Sequence, residues 1–444
     1  MTSTSEGRRL NRSILRLAVP ALGALVAEPL FLITDSALVG HLGVDPLAGL
    51  GIASAVLQTI VGLMVFLAYS TTPAVARRLG SGDPSRAVSV GIDGMWLALG
   101  VGAVLALLGW LATPWLVGAF GPTPEVAAQA ETYLGLSMGG LPAMLIVFAG
   151  TGLLRGMQNT LTPLWIAGLG FAANAGLNWL LIYGFGWGIA GSAIGTVLAQ
   201  WGMVLAYVIV IGRLARRHDA SVRPQRDGVR GSARSGGWLF LRTVSLRAAL
   251  LLTVAAATRM GPEELAGYQV VFTIFSAAAF ALDALAIAAQ ALVGKGLGAG
   301  DVPQVRRVLA RTLGWGAWFG VIIGAVIAVF SPVIGLLFAG SEFLAALILP
   351  ALIVLAIAQP VSGLVFVLDG VLIGAGDAKY LAYAGIANLV LFLPALGIVA
   401  LTGIDGAAGL AWLAGTFFVV YMCARLLTLG YRVRGTHWLR VGAA

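Results

Sequence analysis

The sequence predicts an all-α membrane protein of twelve transmembrane helices, arranged as two six-helix bundles related by a parallel internal repeat. Three observations predict it. Apolar runs of spanning length, about 20 residues, recur twelve times. The basic residues cluster in alternate connections between those runs. The second half of the chain repeats the first at a fixed offset.

Composition narrows the class first. Of 444 residues, 59% are hydrophobic and only 10% charged, against about 25% charged in soluble domains. Mean hydropathy is +0.96. Glycine occurs 61 times, as expected where helices pack closely in lipid. The net charge of +9 does not point to nucleic acid, because the positive charges fall into short loops. The one cysteine, Cys423, leaves no disulfide framework and no Cys-based metal site. The polar start MTSTSEGRRLNRS has no short apolar core with a cleavage site behind it, so the first apolar run is expected to be a retained span.

The runs lie at 14–39, 47–76, 88–119, 126–153, 161–184, 189–212, 238–258, 264–293, 306–338, 343–373, 380–402 and 405–429. Several exceed the minimum length, which implies tilt or extension beyond the hydrocarbon. Of the 27 basic residues, only Arg259 falls outside the termini and the even-to-odd connections. The positive-inside rule places both termini in the cytoplasm, and the expected location is the plasma (inner) membrane. The expected division is a cytoplasmic N-terminus at 1–13, an N-lobe at 14–212, a linker at 213–237, a C-lobe at 238–429 and a cytoplasmic tail at 430–444. The linker RLARRHDASVRPQRDGVRGSARSGG is the one long polar stretch, and its basic character suits the anionic inner leaflet.

The halves align at an offset of 218: GVDPLAGLGIA (43–53) on GPEELAGYQVV (261–271), and GSGD (80–83) on GAGD (298–301). TPWLVGAFG (113–121) falls on SPVIGLLFA (331–339), Pro142 on Pro360, Phe148 on Phe366 and Gly156 on Gly374. GIAG (188–191) then matches GIDG (403–406) at an offset of 215, implying a small deletion. An even number of spans in each half makes the repeat parallel, as in some secondary transporters.

No nucleotide loop, metalloprotease motif or nucleophile elbow is present, and the three histidines lie in or near loops without metal spacing. GAGD at 298–301 and 374–377 reads as a helix stop into a tight turn rather than a phosphate cradle. With no nucleotide site, an ion gradient must drive any transport. Carboxylates inside apolar runs are therefore the informative groups: Glu28, Asp35, Asp93, Glu131, Asp283 and Asp369. Asp93 and Glu131 lie near span ends, where reaching the interface explains them. Glu28 and Asp35 share a face of span 1, seven residues apart, in a run bent by Pro20 and Pro29. Asn174 and Asn178 share a face of span 5, and Thr196 follows in span 6. Amides in such helices serve as packing glue or, with Asp35, as a protonation-sensitive network. Asp283 and Asp369 sit among small and apolar neighbours, facing a helix partner or a central cavity.

The ordered set of VPALGALVAEPLFLITDSALVGHLG, LAGLGIAS, NAGLNWLLIYGFGWGIAGSAIGT, FALDALAIAAQALVGKGLGAGD and FVLDGVLIGAGD resembles the multidrug and toxic compound extrusion (MATE) family of secondary exporters. The likeness is to its DNA-damage-inducible F branch, and it covers nearly the whole chain. It implies two bundles around a V-shaped central cavity. It also implies antiport, by alternating access, of amphipathic or cationic organic compounds against protons or sodium ions. The family's N-lobe network falls on Asp35, Asn174, Asn178 and Thr196, and its bending proline on Pro20. Glu28 and Asp283 are expected in the substrate cavity, and Asp369 matches an acidic position implicated in cation binding, a possible sodium site. Some members carry an Asp where this chain has Asn178. The missing charge favours protons over sodium as the coupling ion. The implied protein is a monomer in the lipid bilayer, handling small organic molecules, with no enzymatic activity and no cofactor beyond its coupling ion. The competing readings are a sodium-coupled exporter of the same family, or a lipid or oligosaccharide-lipid flippase. The mainly acidic intramembrane charges disfavour a flippase.

Overall fold

The computed structural model of the chain describes residues 2–339 and 342–442, the side chains of 2–5, 28, 338 and 339 excepted. Among the described residues every regular element is helical. Among the described residues twelve helical stretches are long and apolar enough to cross a membrane, from Glu6–Gly40 to Gly406–Arg434, as the hydropathy pattern predicts.

Four spans are interrupted in ways the sequence explains only in part. The first, α1 (Thr2–Gly40), stays helical through Pro20 and Pro29. The second breaks at Val65 into α2 (Val44–Met64) and α3 (Phe66–Gly80). The third is α4 (Pro84–Gly118). The fourth divides into α5 (Pro124–Ser137) and α6 (Leu141–Gly156) around a 3₁₀ turn at Met138–Gly140. Two adjacent glycines and Pro142 weaken the helix there. The fifth, α7 (Leu161–Trp179), widens into a π-turn at Leu180–Gly184, followed by α8 (Gly188–Arg217). The second half comprises α9 (Arg226–Met260), α10 (Pro262–Gly298), α11 (Val302–Ala339), α12 (Glu342–Gly374) and α13 (Ala378–Thr402). Its last span is α14 (Gly406–Gly415), a π segment at Thr416–Tyr421, and α15 (Met422–Arg434).

The chain forms two compact units, one of Val19–Gly236 and one joining the residues up to Ala18 with Gly237–Gly442. The first division falls inside α1, beside Pro20, and the second inside α9. In the first unit Val75, Val88, Ile92, Leu153, Tyr207 and Ile211 share one buried core. Close approach of α4 and α6 needs Gly91, where a Cβ would stand 2.3 Å from Leu153 Cγ. In the second unit α11 and α12 meet backbone to backbone. A Cβ on Gly363 would lie 2.0 Å from the Gly316 carbonyl oxygen, so small residues set this contact.

The Gly-Ala-Gly-Asp stretches are helix stops. α10 ends at Gly298 and α12 at Gly374, and Gly300 and Gly376 turn through φ values of +74° and +70°. Asp301 then caps the next helix by accepting from the Gln304 amide at 2.9 Å.

The polar stretch 213–237 completes α8, forms a loop at 218–225 and begins α9. Four hydrogen bonds fasten that loop to α4. Gln225 N donates to Asp93 Oδ1 (2.8 Å), and Ser221 N donates to Ser89 Oγ (3.0 Å). Ser85 Oγ donates to the Asp219 carbonyl (3.1 Å), and Trp96 Nε1 to the Val222 carbonyl (3.1 Å). Asp93, 1% exposed, thus holds backbone instead of reaching an interface.

Candidate functional site

Within the unit Val19–Gly236, three helices aim polar side chains at one carboxylate. Asp35, on α1, is 3% exposed. Its Oδ2 accepts from the Tyr133 hydroxyl on α5 at 2.8 Å. Its Oδ1 accepts from Asn178 Nδ2 on α7 at 2.9 Å and from Ser192 Oγ on α8. Asn174 Nδ2 donates to Thr196 Oγ1 at 3.0 Å, and the Asn174 and Asn178 amides face each other at 3.4 Å. Every member is buried. Among the described residues no Lys, Arg or His forms an ion pair with Asp35.

The local sequence explains the geometry. Asn174 and Asn178 lie one turn apart on α7. The α8 start, GIAGSAIGT, offers Ser192 and Thr196 one turn apart, with Gly191 and Gly195 on the adjoining face. A Cβ on Gly195 would stand 2.2 Å from Asn178 Oδ1, and one on Gly191 would stand 2.8 Å from the Leu181 carbonyl. The glycines therefore let α8 press its two hydroxyls against α7. The π-turn at Leu180–Gly184 follows Asn178 directly; such turns are frequent at functional sites.

Four sequence-predicted residues, Asp35, Asn174, Asn178 and Thr196, thus come together. Tyr133 and Ser192 were missed. Ser192 was findable, since it precedes Thr196 by one helical turn. Tyr133 carries no such signal: an aromatic in an apolar run reads as packing. Pro20 lies in α1 next to the unit division. Glu28's side chain lies outside the described residues. Asp283 is half-buried on α10.

Asp369 departs from expectation. It is 6% exposed on α12, but its Oδ2 takes hydrogen bonds from Nη2 of both Arg242 on α9 and Arg425 on α15. Arg242 Nε also reaches Oδ1 at 3.3 Å. Two guanidinium groups hold the carboxylate expected to bind sodium, so it is not offered to a cation here. The positive-inside count placed Arg242 with the connection between spans 6 and 7 and Arg425 with the C-terminus; both are instead turned toward Asp369. Among the described residues no group of three or more His, Cys, Asp or Glu side chains could hold a metal.

Twelve apolar spans and a buried carboxylate held by uncharged donors fit a membrane transporter, and the comparisons identify the family. The MatE family pattern matches residues 20–180 and 243–399. The Arabidopsis thaliana protein DETOXIFICATION 44, chloroplastic, is 32% identical over 440 residues, covering 96% of this chain and 82% of that protein. DNA damage-inducible protein F of Escherichia coli K12 is 28% identical over 454 residues, covering 96% and 93%. The crystal structure of a D35N mutant of the Vibrio cholerae MATE transporter VcmN superposes with a TM-score of 0.88 at 21% identity, covering 99% of this chain and 100% of that one. The chain belongs to the MatE family. It is a multi-pass membrane protein of the multidrug and toxic compound efflux class, and not an enzyme.

Proposed function

We propose that the protein exports amphipathic or cationic organic compounds in exchange for protons, with Asp35 as the group that carries the proton. One observation carries this reading: Asp35 is buried, bound by three uncharged donors, and without a cationic partner among the described residues. A single proton therefore changes the net charge of the cluster. It also gives one carboxylate oxygen an O–H donor, so the hydroxyls and amide around it must re-pair. Asn174, Asn178 and Thr196 form the responding part of the cluster.

The bonds at stake join α1 to α5, α7 and α8. Their exchange frees α1 to bend at Pro20, where the division between compact units falls. Substrate and proton then favour opposite access states, as linkage requires of an exchanger. Glu28 and Asp283 supply negative charge to a cationic substrate. Sodium as coupling ion is disfavoured by Asn178, which brings no charge, and by the guanidinium groups on Asp369. In this reading the protein works as a monomer in the plasma (inner) membrane with both termini cytoplasmic.

The test is export of a fluorescent organic cation from proteoliposomes under an imposed pH or sodium gradient, with Asp35→Asn beside the wild type. Loss of pH-driven export in the mutant is expected. Undiminished export by the mutant, or wild-type export that responds to the sodium gradient alone, overturns the proposal.

A further inference from the structure

The unit containing Gly237–Gly442 holds a second polar centre of opposite character. A cavity of about 20 Å³, room for one water-sized group, opens beside Arg242, Leu246, Asp369, Asn388, Tyr421 and Arg425. Its polar walls are donors. Arg425, 7% exposed, gives Nη2 to Asp369 Oδ2, an oxygen it shares with Arg242. Its Nη1 faces the Met422 thioether at 3.7 Å, a weak acceptor. Among the described residues no second carboxylate forms an ion pair with Arg425.

Asn388, 3% exposed, has its Oδ1 engaged by Thr428 Oγ1 at 3.1 Å, which leaves the Nδ2 hydrogens as donors. Tyr421, 1% exposed, stacks on Phe417. Its hydroxyl has no hydrogen-bond partner among the described residues. The one carboxylate at the cavity already carries two guanidinium groups. Two guanidinium groups against one carboxylate leave the cavity with a net positive charge, and the hydroxyl and amide beside it can donate, so the site suits an anion and repels a cation. Burying a guanidinium that shares its counter-charge is costly, and a bound anion offsets that cost.

We propose that this cavity is a binding site for a small singly charged anion, held by Arg425, Tyr421 and Asn388. The same chemistry is presented by a free halide and by the carboxylate head of an organic acid. The site shares no residue with the Asp35 cluster, so the two proposals stand or fall separately.

The experiment pairs location with affinity. Crystals of the full-length protein grown in sodium bromide are measured at the bromine absorption edge. Chloride binding to purified protein is followed with radiolabelled chloride. An anomalous peak beside Arg425, Tyr421 and Asn388 is expected, with saturable chloride binding. Tyr421→Phe should weaken that binding about tenfold, since it removes one hydrogen bond to a charged ligand. Arg425→Gln should abolish it. Should Arg425→Gln not fold, Tyr421→Phe and Asn388→Leu decide. Asp35→Asn should leave chloride binding unchanged. Displacement of bromide by acetate and benzoate supports the organic-acid source, and bromide that resists both supports a halide site. No peak and no saturable binding means that the cavity takes only water, and overturns the proposal.

Discussion

The Tyr133 hydroxyl donates to Asp35 Oδ2 at 2.8 Å, tying the first span to the fourth. In the deprotonated state that bond is worth about 1.5–3 kcal/mol, as for other hydrogen bonds to charged groups. Tyr133→Phe keeps the ring and its packing but removes the donor. Proton-driven export should fall about tenfold or more, together with a modest drop in melting temperature from the lost bond. Transport assays beside thermal unfolding check this; unchanged export would place Tyr133 outside the coupling step.

Gly195 gives a steric test of the same cluster. Its missing side chain makes room for Asn178 Oδ1, which a Cβ would approach to 2.2 Å. Gly195→Ala must push α8 from α7 or turn the Asn178 amide away. Overpacking of this kind costs about 1–3 kcal/mol. The expected outcome is a lower melting temperature and loss of proton-driven export together. Gly202, with open space around the position of its Cβ, is the control: Gly202→Ala should change neither.

The sequence made the spans, the repeat and most of the Asp35 cluster legible, because each rests on a one-dimensional signal. Hydropathy marks spans, and a carboxylate in an apolar run marks itself. Asn174 and Asn178 share a face by spacing alone. Tyr133 was hidden because nothing in its own helix distinguishes a hydrogen-bonding tyrosine from a packing one; only the fold brings α5 to α1. The same limit hid the partners of Asp369. Arg242 and Arg425 are 183 residues apart, and each sits near a span end, where an arginine reads as a charge in the cytoplasm. Asp93 looked interfacial because its partner is a backbone amide at Gln225, which no residue pattern reveals.

The two lobes are chemically unequal at one repeat position. At the offset of 218, Thr151 falls on Asp369. Thr151 pairs with the Tyr207 hydroxyl at 2.7 Å, whereas Asp369 pairs with Arg242 and Arg425. The Thr151–Tyr207 and Asp369–Arg425 contacts each link the fourth and sixth spans of their half, and Arg242 brings in the first span of the second half. Removing one member of a buried ion pair costs about 3–5 kcal/mol. Asp369→Asn should therefore lower the melting temperature and membrane yield sharply, to the same degree in sodium and in potassium buffers at one chloride concentration. A sodium site at Asp369 would instead make wild-type stability rise with sodium and make that rise vanish in the mutant.

The loop at 218–225 supplies a prediction independent of transport. Asp93 Oδ1 accepts from Gln225 N at 2.8 Å, at the point where the loop turns into α9. Asp93→Ala removes this anchor and leaves the other three hydrogen bonds to α4 in place. Trypsin needs an extended, released segment around Arg226, since Pro224 blocks cleavage after Arg223. Local opening controls such cleavage when reclosing is fast. The loss of one charge-assisted bond, about 1.5–3 kcal/mol, should raise the cleavage rate roughly tenfold or more in Asp93→Ala. Trp96→Phe, which loses only the neutral bond to the Val222 carbonyl, should raise it by a smaller factor. Equal cleavage of mutant and wild type would mean that the segment is already detached in solution, and that Asp93 does not fasten it.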